Sequence, residues 1–167
     1  MGKNYFIFTL LFSFVIDSCT QKHLIVKKEK AGLIFKAEME NWHREDGFNY
    51  LSIKTILINN SPDTIKYVNM YCDSDKIYVI DIDTKKLNIH WKECDKNFLE
   101  LHILFPYEKE YSGLEALTQE DTFKLIGEKF RVGFNYIAAK NNEDARTKFD
   151  SLLNQKHLIW SDTVEIK

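Results

Sequence analysis

The chain has 167 residues, of which 44% are apolar and 29% are charged. A chain of this length and composition is expected to fold around one hydrophobic core rather than to stay disordered. Its 23 Lys and Arg residues and 25 Asp and Glu residues give a net charge of −2. Because strong binding to a phosphate backbone requires a basic surface, we expect no nucleic-acid partner.

The first residues have the features of an export signal. Lys3 precedes an apolar run from Phe6 to Ile16, which is too short to cross a hydrocarbon core of about 30 Å as a helix. The alternative is a buried core helix, but such a helix normally carries a polar stripe, and only Thr9 and Ser13 are polar here. We therefore expect residues 1–18 to be a signal peptide.

The segment that follows the apolar run has a cysteine preceded by a small and an aliphatic residue. Ile16-Asp17-Ser18-Cys19 resembles the lipobox of bacterial lipoproteins, although an aspartate is unusual at its position. The resemblance implies that Cys19 becomes the first residue and carries acyl chains, which anchor a protein to a membrane. Plain signal cleavage is the alternative. Residues 19–30 would then be the lipidated cysteine and a tether, and residues 31–167 the folded domain.

The first half of the domain alternates between apolar and polar residues, as half-buried strands do. The inward faces of two predicted strands are Leu33, Phe35, Ala37 and Met39 in Leu33 to Glu40, and Leu51, Ile53, Thr55 and Leu57 in Tyr50 to Asn59. Asn59 to Asp63 has the composition of a turn. Four further strands are predicted at Thr64 to Tyr71, Lys76 to Ile82, Lys86 to Trp91, and Leu99 to Phe105 with Leu99, Leu101, Ile103 and Phe105 inward.

The second half continues this pattern with one interruption. Strands are predicted at Lys124 to Ile126 and at Phe130 to Ala138, with Phe130, Val132, Phe134 and Tyr136 on one face and Gly127 and Gly133 as bends or bulges. Glu143 to Asn154 has helical spacing with Asn142 as its N-cap, and Leu158 to Ile166 forms a closing strand. The pattern predicts a mostly-β fold, an antiparallel sandwich with one short helix before the last strand.

Several short segments resemble the small, uncharacterised immunoglobulin-like lipoproteins of the Bacteroidota. The resemblance rests on Cys19, the run Leu51 to Tyr67, the turn Cys94 to Asn97, and Phe130 to Ile137. It implies an immunoglobulin-like β-sandwich in the cell envelope and supplies no active site. In these lipoproteins an acidic stretch after the cysteine favours display on the cell exterior, and none is present here. We therefore expect an outer-membrane lipoprotein that faces the periplasm.

Two cysteines remain once Cys19 carries lipid. An even pair in an oxidising compartment favours a disulfide, here between Cys72 and Cys94. The alternative is two buried, unpaired cysteines, which are common in protein cores. A catalytic Cys94 with His90 as its base is less supported, because no third group is evident that would orient the histidine.

A cluster of carboxylates and five scattered histidines are the other candidates for chemistry. Asp73, Asp75, Asp81 and Asp83 could bind Ca²⁺ through oxygen, but the glycine and glutamate of an EF-hand loop are missing. A solvated sheet edge is the simpler interpretation, and an acid–base pair of Asp81 and Asp83 is a third one. No histidine spacing suggests zinc, so we expect neither a metal nor a cofactor.

Aromatic residues exceed what one core of this size needs. Core packing accounts for most of them, and the others could line a surface that binds a protein or a glycan, for which we select Trp42, Tyr78 and Trp91. We therefore predict that the chain is not an enzyme but a membrane-anchored binding or assembly module. The alternative is a hydrolase-like enzyme that uses the carboxylates of Asp73 to Asp83.

Overall fold

A computed structural model describes residues 32–70, 74–90 and 99–167. Its strands are β1 (Leu33–Glu45), β2 (Phe48–Asn59), β3 (Ile65–Met70), β4 (Tyr78–Ile80), β5 (Asn88–His90), β6 (Leu99–Leu104), β7 (Lys109–Thr118), β8 (Lys129–Phe130), β9 (Val132–Asn135), β10 (Leu158–Trp160) and β11 (Val164–Glu165). Its helices are α1 (Ser74–Ile77), α2 (Asn142–Arg146) and α3 (Phe149–Leu153). The prediction of a mostly-β fold with antiparallel sheets is confirmed.

The first sheet has the strand order β1-β2-β7-β5, and every neighbouring pair is antiparallel. A β-bulge in β1 between Met39 and Asn41 interrupts its register with β2. The inward faces predicted for the first two strands are correct. Leu33 and Phe35 are buried, as are Leu51, Ile53, Thr55 and Leu57, because alternate residues of a strand point to the same side of the sheet.

The remaining strands form a second layer across from the first sheet. β9 lies between β4 and β10, β3 pairs with β6, and β8 pairs with β11. The chain beyond β9 joins these pairs, since Val68 N donates to Ile137 O at 2.9 Å and Ala139 N donates to Lys66 O at 3.2 Å. The ring of Phe35 stacks on Phe134 of the second layer with centroids 5.5 Å apart. The arrangement is consistent with a β-sandwich.

Strand β7 was not predicted, although it lies in the middle of the first sheet. Its first inward positions are Glu110 and Ser112, which face the second layer across from Leu57 and Thr55, so the expected alternation of apolar and polar residues is absent there. The strand predicted at Lys124 to Ile126 is wrong. That segment is a 3₁₀ turn at Thr122–Lys124, in which the Asp121 side chain accepts a hydrogen bond from Phe123 N.

Strand β6 presents the opposite face to the one predicted. Leu104 is buried and His102 points toward the first sheet, while Ile103 and Phe105 are exposed. Leu99 and Leu101 are half-buried beside α2. Both faces of β6 are therefore partly covered, and hydrophobic alternation cannot identify the inward face of a strand that is covered on two sides.

The predicted single helix is two short helices. Asn141, rather than Asn142, caps α2 by accepting a hydrogen bond from Asp144 N at 2.8 Å. The closing strand is likewise divided into β10 and β11. Gly133 is not a bulge but a point of close approach, since an added Cβ would lie 3.0 Å from the Trp160 ring.

The amide of Asn59 joins three segments of the chain at one end of the sandwich. It is fully buried, and its Nδ2 donates to the carbonyl oxygens of Asp63 (2.7 Å), Leu104 (3.2 Å) and Phe105 (2.9 Å). Its Oδ1 accepts from Ser61 N and Oγ at 3.1 and 2.7 Å. The end of β2, the turn before β3 and the end of β6 are therefore held together by one side chain.

We predict that Asn59→Leu destabilises the fold by about 3 kcal/mol, because an apolar side chain of similar size leaves the buried carbonyl groups without a donor. The neighbouring Asn60→Ala variant is the control. The Asn60 side chain is exposed, so the free energy of unfolding of the Asn60→Ala variant should stay within about 0.5 kcal/mol of the wild-type value. Urea unfolding measures both, and equal effects of the two substitutions would contradict the role given to Asn59.

Candidate functional site

Several residues singled out from the sequence lie outside the described part of the chain. They are Cys19, Cys72, Asp73, Trp91 and Cys94. The predicted lipidation, the predicted disulfide and one third of the predicted aromatic surface therefore stay predictions. No helix among the described residues is long and apolar enough to cross a membrane.

The two described residues of the predicted aromatic surface pack against the core. Trp42 lies opposite Leu51 in the first sheet. The Tyr78 ring lies 6.0 Å from Phe35 and 5.7 Å from Phe134 between centroids, and burial raises the pKa of its hydroxyl. The structure thus places Trp42 and Tyr78 in different layers, where core packing accounts for both positions.

Of the carboxylates proposed for the alternative enzyme, the structure describes the side chains of Asp81 and Asp83, and these two hold loops in place. Asp81 Oδ2 lies 2.7 Å from Arg131 Nε, and Asp81 Oδ1 accepts from Arg131 N. Asp83 accepts from Lys85 N at 3.0 Å within a turn. Among the residues that the structure describes, no group of three or more acidic, histidine or cysteine side chains could hold a metal ion.

A cluster of aromatic and polar side chains lies on the outer face of the first sheet, and we call it the outer-face cluster. Its members share one side of β1, β2, β5 and β7: His43, Tyr50, Ser52, His90 and Glu115. The His43 ring stacks on the Tyr50 ring with centroids 5.3 Å apart, and His90 meets the same ring edge-on at 5.0 Å. Tyr50 is thus covered on its flanks by two imidazoles.

The polar members of this cluster form a chain of contacts across three strands. Ser52 Oγ lies 3.4 Å from His43 Nδ1, and His43 Nε2 lies 3.7 Å from Glu115 Oε1. A hydrolase uses the same residue types in the same order, but its nucleophile and base lie within about 3.2 Å. The distances here are longer, and the groups lie on the outer face of a sheet.

An exposed phenylalanine extends the outer-face cluster. Phe48 lies two residues before Tyr50 on β2, on the same face of the sheet, and is exposed. Aromatic rings beside hydrogen-bonding groups are the composition that recognition surfaces favour. The sequence contained only part of the signal for it, since Tyr50 falls on the outward side of the second predicted strand. His43 lies beyond the first predicted strand, Leu33 to Glu40, and reaches the outer face because the bulge between Met39 and Asn41 shifts the register.

A second polar cluster lies between the layers and consists of Tyr67, Asn69, His102 and Glu110. The Tyr67 hydroxyl donates to Glu110 Oε2, and His102 Nδ1 lies 3.0 Å from Glu110 Oε1. The Asn69 amide nitrogen lies 3.3 Å from both ring nitrogens of His102. Because β3 and β6 carry three of these residues and β7 carries Glu110, this interlayer cluster links the two layers.

The interlayer cluster shifts the protonation of each titratable member. The hydrogen bond from His102 holds the pKa of Glu110 below its ordinary value, although burial opposes this effect. The same bond raises the pKa of His102, again against the effect of burial. Burial, and then the hydrogen bond to Glu110, raise the pKa of Tyr67. His102 and Glu110 are therefore charged at the same time over a wider pH range than their ordinary pKa values would allow.

The space beside this cluster is small. A cavity lies between Tyr67, Tyr78, Thr55 and Ser112. The volume in which the centre of a water molecule can lie is about 10 Å³, which is close to the minimum needed to hold one water. A substrate needs a pocket of several hundred Å³. The interlayer cluster is therefore a structural element rather than a binding pocket.

We predict that the stability difference between wild type and His102→Gln depends on pH. Because folding raises the pKa of His102, the charged side chain stabilises the fold fully at pH values below 6.5, the ordinary pKa of histidine. This stabilisation is lost as the pH rises through the folded-state pKa. The lowered pKa of Glu110 stabilises above its ordinary value of 4.5 and is lost as pH falls. The free energy of unfolding of wild type should exceed that of the variant by the largest amount near pH 5.5. This difference should shrink by on the order of 1 kcal/mol by pH 9.

Urea unfolding at these two pH values measures the effect. His157→Gln, which alters an exposed histidine in the loop before β10, is the control and should follow wild type. A constant difference between wild type and His102→Gln at both pH values would show that the charge of His102 contributes nothing.

Comparison with known proteins assigns no family to this arrangement. No protein-family model, no curated protein and no solved structure matches the chain. The resemblance to immunoglobulin-like lipoproteins therefore stays a prediction from the sequence. What the described residues provide is a mostly-β scaffold with an aromatic and polar cluster on its outer face.

Proposed function

We propose that this chain is a membrane-anchored envelope lipoprotein that binds a protein or a glycan with its outer-face cluster. The observation that carries the proposal is the stack of His43, Tyr50 and His90, with the exposed Phe48 beside it. Phe48 and the half-buried rings of His43 and His90, which flank the buried Tyr50, offer contact area to a partner, while Ser52 offers a hydroxyl group. Recognition by such a surface requires no cavity.

The cellular location in this proposal rests on the sequence before Gly32. The basic start, the apolar run and the lipobox-like Cys19 support export and acylation. Periplasmic exposure on the outer membrane is part of the same proposal. The position of Gly32 supports a separation between the attachment of the tether and the binding surface. Strand β1 runs from Leu33, beside Asn59, to Glu45, beside Phe48. A tether would therefore leave from the end opposite Phe48.

An immunoglobulin-like arrangement is also part of this proposal. The order β1-β2-β7-β5 has the pattern of the A-B-E-D sheet of that fold, and β3, the extended β9 and β10 have the pattern of its C-F-G sheet. Strand β6 departs from the pattern, because it follows β5 in the sequence and pairs with β3. Strand β4 departs from it as well, because it pairs with β9 while β3 joins the chain beyond β9. The order of the first sheet supports the proposal, and β4 and β6 are additions to the pattern.

Binding is favoured over catalysis by the roles of the candidate catalytic groups. Asp81 and Asp83 are occupied by Arg131 and by a turn, so they do not form a free acid–base pair. Ser52 Oγ lies 3.4 Å from His43 Nδ1, which is longer than the contact of about 3.2 Å or less that is usual between a nucleophile and its base. A binding module needs neither arrangement.

We predict that radiolabelled palmitate is incorporated into the wild-type chain but not into Cys19→Ala, because the thiol of Cys19 is the acceptor in the proposed lipobox. Cys72→Ala is the matched control and should keep the label. Labelling is measured on the immunoprecipitated protein after growth with the fatty acid. Label in the Cys19→Ala chain, or none in wild type, would refute the anchor.

We predict that a photo-crosslinking residue in place of Phe48 yields a discrete adduct with an envelope protein or glycan. The double variant His43→Ala, His90→Ala should reduce its yield about tenfold, which corresponds to a loss of about 1.4 kcal/mol of binding energy. His157→Ala is the control for loss of a surface imidazole and should leave the yield unchanged. An adduct that is insensitive to the double variant would contradict recognition by the outer-face cluster.

A further inference from the structure

The chain enters the domain at the end where the Asn59 amide joins three segments of the chain. Asn60 N donates to Gly32 O, and Leu33 lies opposite Asn59. Gly32 has φ +108°, and an added Cβ would lie 2.6 Å from the Ser61 Cβ, so only glycine fits against the turn. We call this the tether end, because any segment before Gly32 leaves from it.

A pair of aromatic side chains projects from the same end. The turn between β6 and β7 exposes 59% of Phe105 and 67% of Tyr107, and we call these two residues the aromatic tip. Tyr107 has φ +61°, a conformation that is uncommon for a bulky residue. The Glu108 carboxylate accepts from Phe105 N at 2.7 Å, and Glu108 N donates to Phe105 O at 3.1 Å. The exposure of both rings is therefore set by a closed turn and not by fraying.

The surroundings of the tip combine apolar and basic side chains. Ile34 and Ile103 are exposed on strand residues near the tip. The lysines Lys36, Lys66 and Lys109 are exposed at the same end, where they outnumber the exposed carboxylates of Asp63 and Glu108. This composition is that of a surface which places aromatic rings at a membrane interface and cations among anionic headgroups.

We propose that the aromatic tip docks on the headgroup region of the lipid bilayer to which the chain is anchored. This inference rests on the proposed membrane anchor. The 12 residues between Cys19 and Gly32 span at most about 45 Å when extended, and Phe48, Tyr50 and Phe123 lie a further strand length away. The tether end therefore stays within this distance of the bilayer in every orientation of the domain, whereas the opposite end is not held there.

The size of the patch also selects a lipid surface over a second protein. A stable protein interface buries about 800 Å² on each partner, and the tip offers two rings and two flanking isoleucines. A tethered domain needs only a weak contact, because the anchor keeps its local concentration at the membrane high. Four lysines and one glutamate in residues 20–31 add attraction to anionic lipid.

The test uses the full chain, reconstituted through its N-terminal anchor into vesicles of phosphatidylethanolamine and phosphatidylglycerol. Phe105→Trp places a reporter at the tip, and Phe123→Trp is the matched control, since Phe123 is 79% exposed at the opposite end of the first sheet. Lipids brominated near the headgroup should quench the added emission at position 105 at least about twofold more than at position 123. Emission of the unsubstituted chain is subtracted in each case.

Two outcomes overturn the inference. Equal quenching at positions 105 and 123 means that the tip does not touch lipid. Protection of the reporter at position 105 from iodide, without quenching by brominated lipid, means that a protein covers the tip instead. The palmitate experiment reports separately on the anchor, and for the vesicle experiment the Cys19→Ala chain is used uncleaved, so that the apolar run from Phe6 to Ile16 attaches it to the bilayer in place of the acyl chains. Lipid quenching at position 105 in a chain without palmitate would thus support the tip contact while refuting the lipoprotein assignment.

Discussion

Asn59 fixes the end of the molecule on which the other features depend. Asn59 is the last residue of β2, and its buried side-chain amide forms hydrogen bonds with both the turn before β3 and the end of β6. An apolar residue there would leave the carbonyl groups of those segments without donors, which costs more than its own burial returns. Because the chain enters beside Asn59 and the β6–β7 turn closes beside it, the tether and the aromatic tip share one end of the domain.

The second constraint is the polar contact between the layers. Most of the core is apolar, but Tyr67 and His102 of the second layer meet Glu110 of the first sheet through hydrogen bonds. Such bonds require defined positions, whereas apolar side chains tolerate sliding. The interlayer cluster therefore sets how β7 faces β3 and β6. It lies nearer to the tether end than to the outer-face cluster, since Glu110 follows directly after the start of β7.

These constraints give the domain two different ends. The tether end has a closed turn, exposed aromatic rings and lysines, which suit a membrane surface. The other end of the first sheet carries Phe48 and the stack of His43, Tyr50 and His90 on its outer face. The long strands β1 and β2 separate the two ends, so a partner at the outer-face cluster and a bilayer at the tether end would not compete for the same space.

The sequence by itself determined the features that depend on local spacing. The first part of β1 up to its bulge, the strand β2, their inward faces and the turn after Asn59 follow from a period of two residues and from turn chemistry. It also carries the export and lipobox-like pattern, which involves no long-range contact. The strand β7 escaped prediction because Glu110 and Ser112 occupy inward positions. Tyr67 and His102, the partners of Glu110, come from other strands, so the local pattern could not account for the inward position of Glu110.

Only the tertiary structure decided which side chains are available for recognition. Trp42 and Tyr78 are aromatic residues of the kind that bind partners, yet both pack against the core. Phe105 continues an alternating apolar face and was expected to point inward, but it is exposed because β6 ends at Leu104 and the turn held by Glu108 redirects the chain. The outer-face cluster joins residues from four strands. Composition states how many aromatic rings there are, and the exposure of each depends on which segments cover it.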